Sequence, residues 1–389
     1  MIFEQKTLGQ LSKNGRGYYG IGASAVPYSD DLFTYLRITD IRDDGTLNKA
    51  DLKSVADSEA SKYLLAPNDI VFARTGASTG RNYFYDGRDG TFVYAGFLIK
   101  FSIDESQVNP RYIKHYCRSK NYWDWIAAYN TGSTRGNINA QTLASMPIML
   151  PPREYQDRVV SIFNSLDDKI ELNNRINENL EQQAQALFKS WFIDFEPYGG
   201  AIPDDWHFGT ASEVIEFHDS KRIPLSSRER AQLEKVYPYF GATSIMDYVD
   251  RYLFDGIYLL LGEDGTVVDA KGFPILQYVE GKFWVNNHAH ILTGKKGYSV
   301  ELLYLLFKLT NVVSVVTGAV QPKISQANLN KVSVVVPSEK ELKALDAIIQ
   351  PLFSQIRNLR AENKRLSSVR DTLLPKLMSG ELDVSEVEL

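Results

Sequence analysis

At 389 residues the chain is too long for one ordinary core, and its 44% hydrophobic and 23% charged residues give a globular balance that excludes wholesale disorder. The longest apolar runs, around Val93–Phe101 and Val332–Val336, have strand length and fall short of the roughly 20 residues a membrane helix needs. Cys117 is the single cysteine, which excludes internal disulfides and thiolate zinc clusters, and Met1-Ile-Phe-Glu-Gln-Lys does not read as a secretory leader, so a reducing cytoplasm is expected. A net charge of −5 is unlike the basic balance of a simple nucleic-acid binder, although the acid surplus lies mostly outside the first 150 residues.

In chain order, residues 1–150 read as one globular unit. Short β-type runs such as Tyr35-Leu-Arg-Ile and Asp69-Ile-Val-Phe-Ala alternate with turns rich in Gly, Asn, Asp and Ser, and Pro110–Cys117 is helical. Residues 151–195 form a helical spacer that opens after Pro151-Pro152 and closes at Gly199-Gly200. Residues 196–336 repeat the first texture, with strands at Ile257-Tyr-Leu-Leu-Leu and Val332-Ser-Val-Val-Val and a helix over Val300–Lys308. Residues 337–389 form a second helical spacer that opens after Pro337-Ser338 and closes at Gly380.

The two halves are copies. Thr131-Gly132, Ile138, Leu143 and Pro151 return as Thr317-Gly318, Ile324, Leu329 and Pro337, each 186 positions later. The same offset relates Asp69-Ile-Val-Phe to Asp255-Gly-Ile-Tyr and Gly76 to Gly262. Along the helices it pairs Leu166, Ile170, Asn177, Leu180 and Leu187 with Leu352, Ile356, Asn363, Leu366 and Leu373. These positions follow alternating 4-3 spacing, a sustained seam with no obvious partner inside one small domain. The expected fold is therefore α+β: two globular domains in tandem duplication, each followed by a long helix, with the two helices pairing as an antiparallel coiled coil. The alternative is that each helix packs only on its own domain. Asn177 and Asn363 interrupt their seams at equivalent places, either to fix register or because the seam is solvated there.

Chemistry is hard to find. Pro-Pro occurs only in Leu150-Pro-Pro-Arg153, at a helix start, and lacks the flanking residues of a methyltransferase motif; no Gly-x-x-x-x-Gly-Lys-Ser/Thr phosphate loop exists. Glu263-Asp264 with Asp269-Ala-Lys271 loosely matches the acid, acid-x-Lys pattern of metal-dependent nucleases, but Asp264-Gly265 and Lys271-Gly272 also read as two turns around a short strand. His288 and His290 could share a strand face as a metal pair, but no cysteine or neighbouring carboxylate completes a site. No catalytic residue, metal or cofactor is expected.

Several blocks in this order resemble the type I restriction-modification specificity subunits along nearly the whole chain. They are Tyr35-Leu-Arg-Ile-Thr-Asp-Ile, Leu65-Ala-Pro-Asn-Asp-Ile-Val-Phe-Ala-Arg-Thr-Gly, the repeated Thr-Gly…Ile…Leu…Pro segment, Ile202-Pro-Asp-Asp-Trp206, Tyr239-Phe-Gly-Ala-Thr, Asn286-Asn-His-Ala-His and Leu373-Leu-Pro-Lys-Leu-Met-Ser-Gly. One departure is that the first half begins near Leu8-Gly9 without the Ile-Pro-x-x-Trp lead-in. The resemblance implies two target-recognition domains on double-stranded DNA, helices that act as a ruler, two methyltransferase subunits docked on those helices, and restriction-translocase subunits joining the assembly. A stand-alone metal-dependent endonuclease and a DNA-independent scaffold are the rival readings.

Contacts to DNA are expected in polar, Gly-rich loops. In the first domain these supply Arg74, Thr75, Ser78 and Arg81, then Ser133, Arg135 and Asn137. The second supplies Gln321 and Lys323 at the places of Arg135 and Asn137, together with Lys221, Arg222 and His288.

Overall fold

A computed structural model describes residues 2–129, 136–318 and 320–384. The chain divides into two compact units, Met1–Glu171 with Asn363–Leu389, and Leu172–Glu362. Both divisions fall inside long helices, which run over Arg153–Phe192 and Glu339–Ser379.

In the first unit the apolar run Asp69–Ala73 is buried at every residue, so it forms the middle of a sheet. It pairs antiparallel with Asn82–Tyr85 on one side and with Leu98–Ser102 on the other, and Tyr18–Tyr19 adds outside the latter. A second four-stranded sheet has the order Ala25–Pro27, Lys53–Val55, Phe33–Leu36, Phe92–Tyr94, with the last pair parallel. Phe72 and Phe101 meet edge to face at 6.0 Å, above the helix Pro110–Tyr116, whose first turn is capped by Asn109. Tyr155, Val159 and Phe163 from the first long helix share this core with Leu377 and Met378 from the second.

The second unit holds a six-stranded sheet in the order Ile215–Phe217, Ala289–Gly294, Phe254–Gly262, Leu276–Val285, Tyr237–Phe240, Ile245–Val249. The helix Val300–Lys308, capped by Ser299, lies in a core with Leu259, Leu261 and Leu292. Ala184, Phe188 and Phe192 of the first long helix and Leu345, Ile349 and Phe353 of the second complete it.

The repeat is visible as shared pairing. Glu4–Thr7 pairs with Pro147–Leu150 as His207–Thr210 pairs with Ser333–Val336, so the first half has its opening strand without the Ile-Pro-x-x-Trp lead-in. Tyr35 and Tyr239 occupy the corresponding parallel strands, and each hydroxyl pins an approaching loop, at the carbonyls of Ile21 and Ala23 and at the backbone of Leu225. The constant 186-residue offset fails at the glycine loop. Ile138 N–H bonds the carbonyl of Arg74 (2.9 Å), and Ile324 N–H bonds that of Glu263 (2.8 Å). Gly76 therefore corresponds to Gly265, not Gly262, because the second unit has fewer residues between this loop and Ile324. Asp255 accordingly is not the counterpart of Asp69 but faces Lys282 near the start of its strand.

The seam residues sit as follows. Leu166 and Leu373 are half-buried against the first unit's core, Leu180, Leu187 and Leu352 against the second's, and Ile356 is buried in the latter. Ile170, Asn177, Asn363 and Leu366 are half-buried. The fully buried asparagine is Asn173, whose Nδ2 donates to Glu362 Oε2 at 2.8 Å. Within the first unit Tyr155 meets Leu377 and Asp167 meets Arg370, so the helical segments there run antiparallel.

Candidate nucleic-acid interface

In each unit two loops distant in sequence are joined by the same backbone bonds. In the first, Gly76 N–H donates to the carbonyl of Gly136 (3.0 Å), and Thr75 bridges Asn137. In the second, Gly265 N–H donates to Pro322 (2.9 Å), and Asp264 bridges Lys323. Gly76 and Gly265 turn at φ of 69° and 83°, in the left-handed region that favours glycine. The first unit's site thus combines Arg74, Thr75 and Ser78 with Asn137; Ser133 and Arg135 lie outside the described residues. Arg81 is tied to Asp43 at 2.6 Å and approaches the carbonyl of Ile41.

Arg74 is the distinctive side chain here. Its guanidinium lies over the rings of Tyr19 (5.1 Å) and Phe97 (5.9 Å). Its Nε is buried without a hydrogen-bond partner among the described residues. Sequence reasoning missed both rings. The Tyr18-Tyr19 pair after Arg16 was the available signal, because exposed aromatics beside basic groups suit nucleic acid.

The equivalent position in the second unit carries a negative charge. Arg222 Nη1 lies 2.6 Å from Glu263 Oε2, and its Nη2 lies 3.4 Å from Asp219 Oδ2. Lys323 Nζ is 3.2 Å from Glu263 Oε1. His290, fully buried, directs Nδ1 to Asp219 (2.6 Å) and Nε2 to the carbonyl of Ile324 (2.7 Å). Burial raises the Asp219 and Glu263 carboxyls, but bonds from His290 to Asp219 and from Arg222 to Glu263 outweigh it and hold both below the usual carboxylate range. Asp219, Glu263 and His290 offer ligand atoms within 4.8 Å of one another. Arg222 and Lys323 already neutralise the carboxylates, and His290 Nδ1 is turned onto Asp219, so the cluster is closed as an ion-pair and hydrogen-bond network.

The remaining candidates are scattered around this network. Arg222 is an internal tie, whereas its neighbour Lys221 is exposed. His288 faces Asp264 and does not share a face with His290. Gln321 is exposed beside Val320, which is 99% exposed, and both line a shallow cleft of about 410 Å³ with Thr266 and Pro322. The loose nuclease pattern dissolves: Glu263 is held by cations, and Asp269 Oδ1 caps its own turn by accepting from the N–H groups of Lys271 and Phe273.

Comparison with known proteins gives these loops a context. The family model described as "Type I restriction modification DNA specificity domain" matches twice, over residues 33–182 and 203–368. The chain belongs to this family. The type I restriction enzyme MjaIX specificity subunit of Methanocaldococcus jannaschii is 25% identical over 313 residues, covering 73% of this chain and 72% of that protein. The HindI specificity subunit of Haemophilus influenzae is 23% identical over 408 residues, covering 83% and 88%. In fold, the type I restriction-modification S subunit from M. genitalium superposes with a TM-score of 0.53 at 18% identity, covering 96% of each chain. The two matches of the specificity-domain model follow the tandem repeat, and each includes the glycine loop of its half. Among the described residues, no helix is long and apolar enough to cross a membrane.

Proposed function

We propose that the chain reads a two-part DNA sequence, one part by each joined pair of loops, and is itself non-catalytic. The observation that carries this reading is that one backbone arrangement occurs twice with different polar side chains. Arg74 and Asn137 stand where the other copy has Glu263 and Lys323. A duplicated frame with unlike side chains is what two different half-sites require, because backbone contacts position a protein while side chains on base edges specify sequence. Ser133, Arg135, Gln321, Lys221 and His288 are proposed as further contacts. The long helices set the spacer between half-sites and dock two methyltransferase subunits, which supply the chemistry, with restriction-translocase subunits joining them. With a net charge of −5, tight binding needs those partners.

The test is base-methylation mapping of the source genome with and without this gene. Loss of one two-part motif with a fixed spacer supports the reading. Unchanged methylation, with the gene and a partner methyltransferase expressed, rejects it and favours a DNA-independent scaffold.

A further inference from the structure

We infer that Arg74 is the guanine-reading residue of one half-site, its guanidinium fork held ready by Tyr19 and Phe97; this rests on the two-part DNA reading above. Other arginines of this unit have partners: Arg37, Arg81 and Arg88 pair with Asp40, Asp43 and Asp86, Arg16 donates to the Tyr18 hydroxyl, and Arg42 donates to the carbonyl of Leu47. Arg74 has no carboxylate or hydrogen-bond partner for its side chain among the described residues, and it is fixed at both ends. Its backbone N–H donates to the carbonyl of Phe97 (3.1 Å), and its own carbonyl accepts from Ile138 (2.9 Å). The Tyr19 hydroxyl accepts from Ala140 N–H at 3.2 Å, which anchors the first ring.

The two rings are 44% and 56% exposed, so they do not form a core around the cation but a clamp at the surface. With Nε buried, the two terminal nitrogens are left without a partner among the described residues, as the donors that would meet a ligand. That fork matches the O6 and N7 acceptors of guanine in the major groove, and restraint by the rings lowers the ordering cost of making both bonds. The counterpart Glu263 offers no donor and is closed off by Arg222 and Lys323. The second half-site is therefore read without an arginine at this position.

The test uses the full chain assembled with its methyltransferase subunits and duplexes carrying the mapped motif. Each guanine is replaced in turn by 7-deazaguanine, which lacks the N7 acceptor. The wild-type assembly is expected to lose binding about 10- to 100-fold at one guanine of one half-site. Arg74→Ala is expected to bind the unmodified motif that much more weakly, to become indifferent to that substitution, and to keep full discrimination at the other half-site. Arg74→Lys retains the charge but not the fork; it is expected to recover only part of the binding, whereas full recovery together with indifference to 7-deazaguanine at every position would mean a phosphate contact and overturn the inference. Retained sensitivity in Arg74→Ala, or loss at both half-sites, overturns it too. A wild-type protein with no two-part motif at all rejects the underlying reading instead, so the two failures are distinct.

Discussion

Asp167 lies on the first long helix with its carboxylate against Lys114 (3.0 Å), Arg118 (3.2 Å) and Arg370 (3.2 Å), its side chain 16% exposed. Burial disfavours its charge, but Lys114 and Arg118 outweigh that and depress its pKa far below the ordinary value. A depressed carboxyl contributes stability that is complete above its unfolded pKa, near 4, and is lost as pH falls through the folded value. Asp167→Asn should therefore cost about 3–5 kcal/mol at neutral pH, since it strands Lys114 and Arg118 and leaves Arg370 only Asp371, and the variant's stability should fall less than the wild type's below about pH 4. Urea midpoints across pH would show this, and parallel acid limbs would reject it. A second contrast concerns adjacent basic residues. Arg222→Ala removes the tie between Asp219 and Glu263 and should cost about 3–5 kcal/mol, whereas Lys221→Ala should stay within about 0.5 kcal/mol. Thermal melts of the two variants separate them. Sequence alone makes Lys221-Arg222 a uniform basic pair, because nothing local says which side chain turns inward.

At the scale of elements, the end of the second long helix is fastened to the start of the first. The Tyr155 hydroxyl lies 3.1 and 2.7 Å from the carbonyl oxygens of Leu377 and Leu382, and Arg158 donates to Val384 at 3.2 Å. Tyr155→Phe keeps the ring in the core and removes only these bonds, so it should cost about 1 kcal/mol. Proteolysis of the native protein should then cut sooner near Gly380–Asp383; an unchanged cleavage rate would mean that packing alone holds the segment. Both helices were legible in the sequence, since their 4-3 apolar spacing and flanking Pro and Gly are local signals. The buried asparagine was not. Asn177 and Asn363 stand out by repeat, yet Asn173 is the one fully enclosed, because its environment comes from Glu362 and its neighbours on the other helix.

At the scale of the whole molecule, the spacer between half-sites is proposed to follow helix length. Matched four-residue insertions within 170–185 and 350–365 add about 6 Å to each helix. The mapped motif should keep both half-sites and change its spacer; an unchanged spacer would end the ruler proposal. The sequence by itself determined the duplication, the α+β texture of each half and the two long helices, because these rest on periodicity and repeat, which each segment carries in its own residues. It also marked both polar loops of each half. Only the tertiary structure decided that Thr75 pairs with Asn137 across some 60 residues of chain, that Gly265 rather than Gly262 matches Gly76, and that Glu263 is closed by Arg222 and Lys323. Those facts depend on which strands become neighbours, and strand pairing is settled by the packing of the whole unit, not by any one segment.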